Sequence, residues 1–160
     1  MELIVPVQVR FADVDHYGHI NNGVYLTYFE VARLALYRDG SLGDSFEEIA
    51  GEGAGIVVAY QEVAYGAPIG KEASVLDIAT WVTRVGRTSF DVAYSVRSHG
   101  QECAIARTSM VLVDIASGRP RKIDDRAHAI LQHFSGAPID VRARRVVGSC
   151  SCSSGGRQGA

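Results

Sequence analysis

Between Val5 and Ala12 apolar and polar side chains alternate. Val5, Val7, Val9 and Phe11 fall on one side, and Gln8, Arg10 and Ala12 on the other. A period of two predicts a strand that ends near Asp13. From about Asn22 to Arg38 the period lengthens. Val24, Tyr28, Val31 and Ala35 form one row at helical spacing, and Tyr25, Phe29, Ala32 and Leu36 a second beside it. Only Thr27, Glu30, Arg33, Tyr37 and Arg38 make a thin polar stripe, so this long apolar helix needs cover on nearly all sides. Asn21 or Asn22 is placed to cap its start, and Gly40 stands where a C-terminal cap belongs.

After an irregular stretch over 39–55, with a short helical turn at Phe46–Ala50, four strands are predicted: Ile56–Tyr65, Val75–Val85, Ser89–Ser98 and Glu102–Asp114. In the third, Phe90, Val92, Tyr94 and Val96 face one way, and Asp91, Ala93, Ser95 and Arg97 the other. His99-Gly100 reads as a hairpin turn. Asp124–His133 is a short terminal helix. Strand, long helix, then four strands joined by short turns is an α+β order, not βαβ alternation. It implies a curved antiparallel sheet wrapped around one helix. Such a sheet leaves an edge strand exposed, and pairing that edge with a second copy is the natural remedy.

The chain of 160 residues suits one domain. We read 1–140 as that domain and 141–160, rich in Arg, Ser and Gly, as a flexible tail. A net charge of −2 lacks the basic footprint of a nucleic-acid binder. The start MELIVPVQVRF is not a secretory signal, and no stretch reaches the roughly 20 apolar residues of a membrane span, so no membrane is expected and a cytoplasmic location is. Three cysteines, Cys103 and the tail's Cys150 and Cys152, fit that compartment.

The chemistry concentrates in residues 13–22: Asp-Val-Asp-His-Tyr-Gly-His-Ile-Asn-Asn. Two carboxylates, two imidazoles and two amides precede a helix start. The unpaired N–H groups there carry partial positive charge and can stabilise an oxyanion. A carboxylate beside them can attack a polarised carbonyl or activate water to do so. Asp13 is read as holding the loop through hydrogen bonds, and His16 as facing solvent. The residue types suit zinc or iron, but no ligand spacing matches, so no metal is expected.

The block Phe11-Ala-Asp-Val-Asp-His-Tyr-Gly-His-Ile-Asn-Asn-Gly-Val-Tyr25 resembles the 4-hydroxybenzoyl-CoA thioesterase family of hotdog-fold proteins. It is also similar to the plant acyl-ACP thioesterase motif, in which His-Val-Asn-Asn is followed by a Tyr. A second block, Val82-Thr-Arg-Val-Gly-Arg-Thr-Ser-Phe90, resembles the family's segment between two central strands. The resemblance covers roughly residues 5–122.

The resemblance implies a homodimer or homotetramer that hydrolyses acyl-CoA or acyl-ACP. Asp15 would be nucleophile or general base, His19 an assisting group, and the Asn22 backbone N–H the group that polarises the carbonyl. Tyr17, Asn21, Gly23 and Tyr25 become substrate-binding candidates. Arg87, Thr88 and Ser89 would meet the nucleotide or pantetheine arm, often across a dimer interface. No cofactor is implied, since CoA or phosphopantetheine belongs to the substrate. The chain departs from the pattern at Tyr17, where the acyl-ACP enzymes carry Asn, and at Asn22, where one acyl-CoA branch carries His. Two rival readings keep the fold: an acyl-thioester hydratase, whose Asp and His stand five apart with Asn-Pro between, and a non-hydrolytic acyl-CoA-binding protein.

Overall fold

The computed structural model describes residues 1–142; of the expected tail only Val141, which is buried, and Arg142, which pairs with Glu62, fall within it, and the CxC lies outside the described residues. The order is β1 (Leu3–Gln8), α1 (Val24–Arg38), α2 (Phe46–Ala50), β2 (Ala54–Tyr65), β3 (Val75–Val85), β4 (Ser89–Ser98), β5 (Gln101–Asp114) and α3 (Asp125–His133). The five strands form one antiparallel sheet in the order β1-β3-β4-β5-β2. The chain is α+β, as its element order implies. The β4–β5 hairpin turns at His99 and Gly100, both at positive φ (49° and 76°), the geometry of a two-residue turn between twisted strands.

Three local expectations fail for identifiable reasons. β1 stops at Gln8, because Arg10 leaves the ladder and a single 3-10 turn at Phe11–Asp13 follows. Phe11, which continues the alternation in the sequence, is 99% exposed, whereas Asp13 is buried. α1 starts at Val24, not Asn22, and Gly23 is its cap residue without a side-chain bond. Asn21 acts one step earlier: its Oδ1 accepts the Gly23 N–H (2.9 Å) and its carbonyl the Val24 N–H (3.0 Å). At the other end Asp39 turns to an extended conformation and Gly40 keeps out of the left-handed region, so the expected glycine cap is absent.

The core lies between the inner face of the sheet and the helices. Tyr25, Tyr28, Phe29, Ala32 and Leu36 of α1 pack there with Phe46, Leu76, Ile78, Phe90, Val92, Tyr94 and Met110. Each such large apolar side chain contributes about 1.5–3 kcal/mol on burial. The second apolar row of α1 is thus covered. The first is split: Tyr28 is buried, Val24 and Ala35 are half-buried, and Val31 stays exposed, as do Leu26 and Leu34 elsewhere on the helix. A single chain does not cover this helix on nearly all sides.

β4 is buried on both faces, including Asp91, Ala93 and Ser95. On the outer face Ala79, Trp81 and Ala93 meet Ile139 of the segment after α3. Trp81 Nε1 donates to the Ala137 carbonyl (2.8 Å), and a Cβ on Gly136 would lie 2.3 Å from the Trp81 ring, so this crossing demands glycine. Among the described residues no helix is long and apolar enough to cross a membrane.

Candidate active site

Residues 13–21 fold back on themselves as a small hairpin. Val14 and Ile20 form an antiparallel bridge, the Asn21 N–H donates to the Asp13 carbonyl (2.9 Å), and the Asp15 N–H donates to that of His19 (2.8 Å). Gly18, at φ +79°, takes the left-handed position that closes the turn, and its N–H donates to the Asp15 carbonyl (3.0 Å). The hairpin is braced from behind by the loop after β2. The Ile20 N–H donates to the Ile69 carbonyl, that of Lys71 to the Gly18 carbonyl, and His19 bridges Gly70.

The two carboxylates of this loop are held in different ways. Asp13 is buried at 2% exposure. Its Oδ2 accepts the Arg10 N–H (2.8 Å) and the Tyr28 hydroxyl (2.8 Å), and Arg10 pairs with Oδ1 (3.0 Å). Burial pushes its pKa up, but the Arg10 amide and guanidinium and the Tyr28 hydroxyl outweigh that and hold it below the ordinary carboxylate value. Asp13 is therefore a structural anion, as the sequence suggested. Asp15 is half-buried. Its Oδ1 accepts the N–H groups of Tyr17 (2.9 Å) and His19 (3.3 Å), while Oδ2 makes no hydrogen bond among the described residues. One oxygen is pinned and the other is free.

The hairpin runs directly into α1. Asn22 is exposed; its N–H makes no hydrogen bond among the described residues, and its carbonyl accepts the Tyr65 hydroxyl (2.8 Å). Tyr65 meets Tyr25 edge-on at 5.2 Å, so the end of β2 fixes the start of α1. Tyr25 itself is buried, whereas Tyr17 is 74% exposed and its ring lies tilted against that of the exposed His16 (3.8 Å). His19 is half-buried, and Asn21 and Gly23 are exposed at the helix entry.

Asp15, Tyr17, His19, Asn21, Asn22, Gly23 and Tyr25 thus belong to one structural unit. Arg87, Thr88 and Ser89 do not join it within a chain. β1 pairs with β3 so that Gln8 meets Val75, at the end where the hairpin sits. Arg87 follows the opposite end of β3, and the 11 residues between span roughly 33 Å. There the Arg87 and Thr88 carbonyls accept the N–H groups of Ile123 and Leu112, and the Arg87 side chain is exposed.

Sequence reading missed Tyr65 and the Ile69–Lys71 brace, because only tertiary pairing reveals them. It also missed a crevice of about 310 Å³ beside the hairpin, with Val9, Val14 and Ala73 as walls and Arg10, Phe11 and Lys71 around them. The exposed Phe11 is the signal: an aromatic in the first motif that the core does not absorb. Burial pushes the Cys103 thiol up, which leaves it protonated at neutral pH. Among the described residues no group of three His, Cys, Asp or Glu could hold a metal ion.

A carboxylate oxygen without a hydrogen bond among the described residues, seven residues before the similarly unpaired Asn22 N–H at the entry to α1, suits attack on a polarised carbonyl. Comparison with known proteins places the chain in a family. Among solved structures, a predicted thioesterase from Bacillus stearothermophilus superposes with a TM-score of 0.73 at 24% identity, covering 86% of this chain and 99% of that one. The PA5185 protein from Pseudomonas aeruginosa gives 0.72 at 27%, over 85% and 94%. The DHNA-CoA thioesterase from Staphylococcus aureus gives 0.72 at 24%, over 82% and 91%. No curated protein matches in sequence. The family model of the thioesterase-like superfamily matches residues 9–132, which hold both sequence blocks and the whole sheet from β2 onward, and the chain belongs to that superfamily.

Proposed function

We propose that this protein hydrolyses an acyl thioester, with Asp15 as the group that delivers attack. The reading rests on one observation: Asp15 is anchored through Oδ1 to two backbone amides, which leaves Oδ2 free just ahead of α1. As general base, Oδ2 takes a proton from water, and the oxygen of that water bonds to the carbonyl carbon. The developing oxyanion faces the Asn22 N–H and the first turn of α1. The C–S bond then breaks, the thiolate takes the proton, and free acid and thiol leave. As nucleophile, Asp15 Oδ2 would instead bond to the carbonyl carbon and the C–S bond would break to release the thiolate; water would then cleave the mixed anhydride to free acid and the Asp15 carboxylate, with a proton passing to the thiolate. His19 orients the turn or relays the proton. The substrate brings its own CoA or phosphopantetheine, so the reaction needs no cofactor.

The distance between Asp15 and Arg87 leads to a homodimer. β2 is an edge of the sheet, 12 residues long, with Val57, Val58 and Tyr60 exposed, and the open Leu34 of α1 lines one cavity with Val58. A long apolar edge of this kind pairs readily with another strand. Antiparallel pairing of two β2 strands about a two-fold axis sets the Ala54 end of one beside the Tyr65 end of the other. Tyr65 holds the active-site end of α1. Through β5, the Ala54 end aligns with Ser89, since Val111 pairs with both Val57 and Ser89. One protomer's Asp15 thereby shares an end of the assembly with the partner's Arg87-to-Ser89 turn, where Arg87 meets the phosphates of a CoA arm.

Turnover of short, long and aromatic acyl-CoA thioesters by wild type, Asp15→Ala and Asp15→Asn tests the chemistry. Both variants should lose at least about two orders of magnitude in kcat with the fold intact. Near-native turnover in both would remove Asp15 from the mechanism.

A further inference from the structure

Two peptide units meet at Asn22, and their hydrogen bonds differ in origin. The Asn21–Asn22 peptide has its carbonyl held by the Val24 N–H (3.0 Å), while its own N–H, that of Asn22, has no partner among the described residues. The Asn22–Gly23 peptide has its N–H held by Asn21 Oδ1 (2.9 Å) and its carbonyl by the Tyr65 hydroxyl (2.8 Å). Each unit is planar, so a bond that fixes a carbonyl also fixes the orientation of the N–H on the same plane. Two of these three bonds are made inside the segment, by Asn21 and Val24, and move with it. Only the third comes from another element: Tyr65 stands 43 positions on, at the end of β2.

Tyr65 is itself firmly seated. Its backbone pairs with Ala104 of β5. The next N–H, that of Gly66, donates to the Cys103 carbonyl (2.7 Å), and a Cβ on Gly66 would lie 3.0 Å from that oxygen, so the end of β2 is pressed onto β5. The ring meets the buried Tyr25 of α1 edge-on at 5.2 Å. Burial raises the pKa of the Tyr65 hydroxyl, so it stays protonated and donates throughout the ordinary pH range. A phenylalanine would make the same ring contact. What the hydroxyl adds is a tie between the sheet and the backbone just ahead of α1.

We propose that Tyr65 is a positioning residue for catalysis: its hydroxyl holds the Asn22–Gly23 peptide so that the neighbouring Asn22 N–H stays aimed at the thioester oxygen as that oxygen gains charge. The proposal rests on the hydrolase reading above. Tyr65 acts through Asn22 and does not touch substrate. A donor of this kind is effective because its direction is set before the reaction begins. Without the hydroxyl the two peptides keep their local bonds but can tilt against the sheet, and a misplacement of about 1 Å at a reacting centre costs on the order of a hundredfold in rate. The ground-state carbonyl, which carries little charge, loses far less, so the effect falls on kcat.

Tyr65→Phe removes one oxygen and keeps the ring, and the acyl-CoA that wild type turns over fastest serves as substrate. The variant should lower kcat about tenfold to a hundredfold and leave KM within about twofold. The pH profile of kcat should keep its shape, since Tyr65 transfers no proton. A readout free of turnover comes from backbone 15N order parameters. Those of the Asn22 and Gly23 amides should fall toward about 0.6, while those of β3 and β4 stay near about 0.85. An undiminished kcat, a loss confined to KM, unchanged order at Asn22 and Gly23, or an equal loss of order in β3 and β4 would each overturn the role. An active wild type with an equally active Tyr65→Phe would fell this proposal alone. A wild type that hydrolyses no thioester would fell the hydrolase reading and this one with it.

Discussion

Asp13 and Asp15 stand two residues apart, and their surroundings divide them between structure and chemistry. Every strong contact of Asp13 is a donor aimed at an ionised carboxylate: the Arg10 N–H, its guanidinium and the Tyr28 hydroxyl. With its pKa held below the ordinary value, Asp13 contributes stability that is full above about pH 4 and is lost as pH falls through the lower folded value. Tyr28→Phe removes one charge-assisted bond and should cost about 1.5–3 kcal/mol at pH 7. The cost should shrink at pH 3 as Asp13 takes up a proton. Denaturant unfolding at both pH values measures this, and an equal loss at both would show that the bond does not depend on the charge. Gly18→Ala has open space around it but a left-handed backbone, so strain alone should cost about 1–2 kcal/mol and disturb the Asp15 turn. These roles were partly legible from residue types, since Asp-x-x-Gly is turn chemistry. Which Asp was buried was not, because that depends on Tyr28, fifteen positions away.

At the scale of elements, long periodic segments declared themselves. β3 and β4 fall where the alternation places them, and α2 and α3 follow their caps, Ser45 and Asp124. Strand faces were harder to read, because bulges change their parity. In β2 the register shifts between Val58 and Tyr60, so the core side passes from Ala54 and Ile56 to Val63 and Tyr65. No count by twos crosses that point correctly. The same bulge sits at the middle of the exposed edge, where two copies would meet. Val57→Lys places a charge on this edge without entering the core, a device that blunts strand pairing. It should shift the protein from dimer toward monomer in light scattering after gel filtration, with its circular dichroism unchanged. An unaltered mass at low micromolar concentration would move the interface elsewhere, and the exposed row of α1 would then be the surface to probe.

For the whole molecule, the second sequence block poses the question that one chain leaves open. Arg87 and Asp15 lie toward opposite ends of β3, so they do not meet within one chain; the two-fold pairing through β2 proposed above would bring them together across a dimer. That difference can be measured. Suppose Asp15→Ala abolishes chemistry and Arg87→Ala abolishes productive binding of the CoA arm. If both residues acted within one chain, every site in a mixed dimer would carry one defect, and mixing would restore nothing. If each site takes Asp15 from one protomer and Arg87 from its partner, a mixed dimer has one site with both defects and one with neither. Random exchange makes half the dimers mixed, so an equal mixture should recover about a quarter of wild-type kcat/KM per protomer. Unfolding and refolding the two variants together, with each refolded alone as the control, reads this out. Recovery no greater than the sum of the controls would rule out a site shared across the pair, and an Arg87→Ala variant that binds the CoA arm normally would leave Arg10 and Lys71, on the hairpin's own side of the molecule, as the charges that meet the substrate's phosphates.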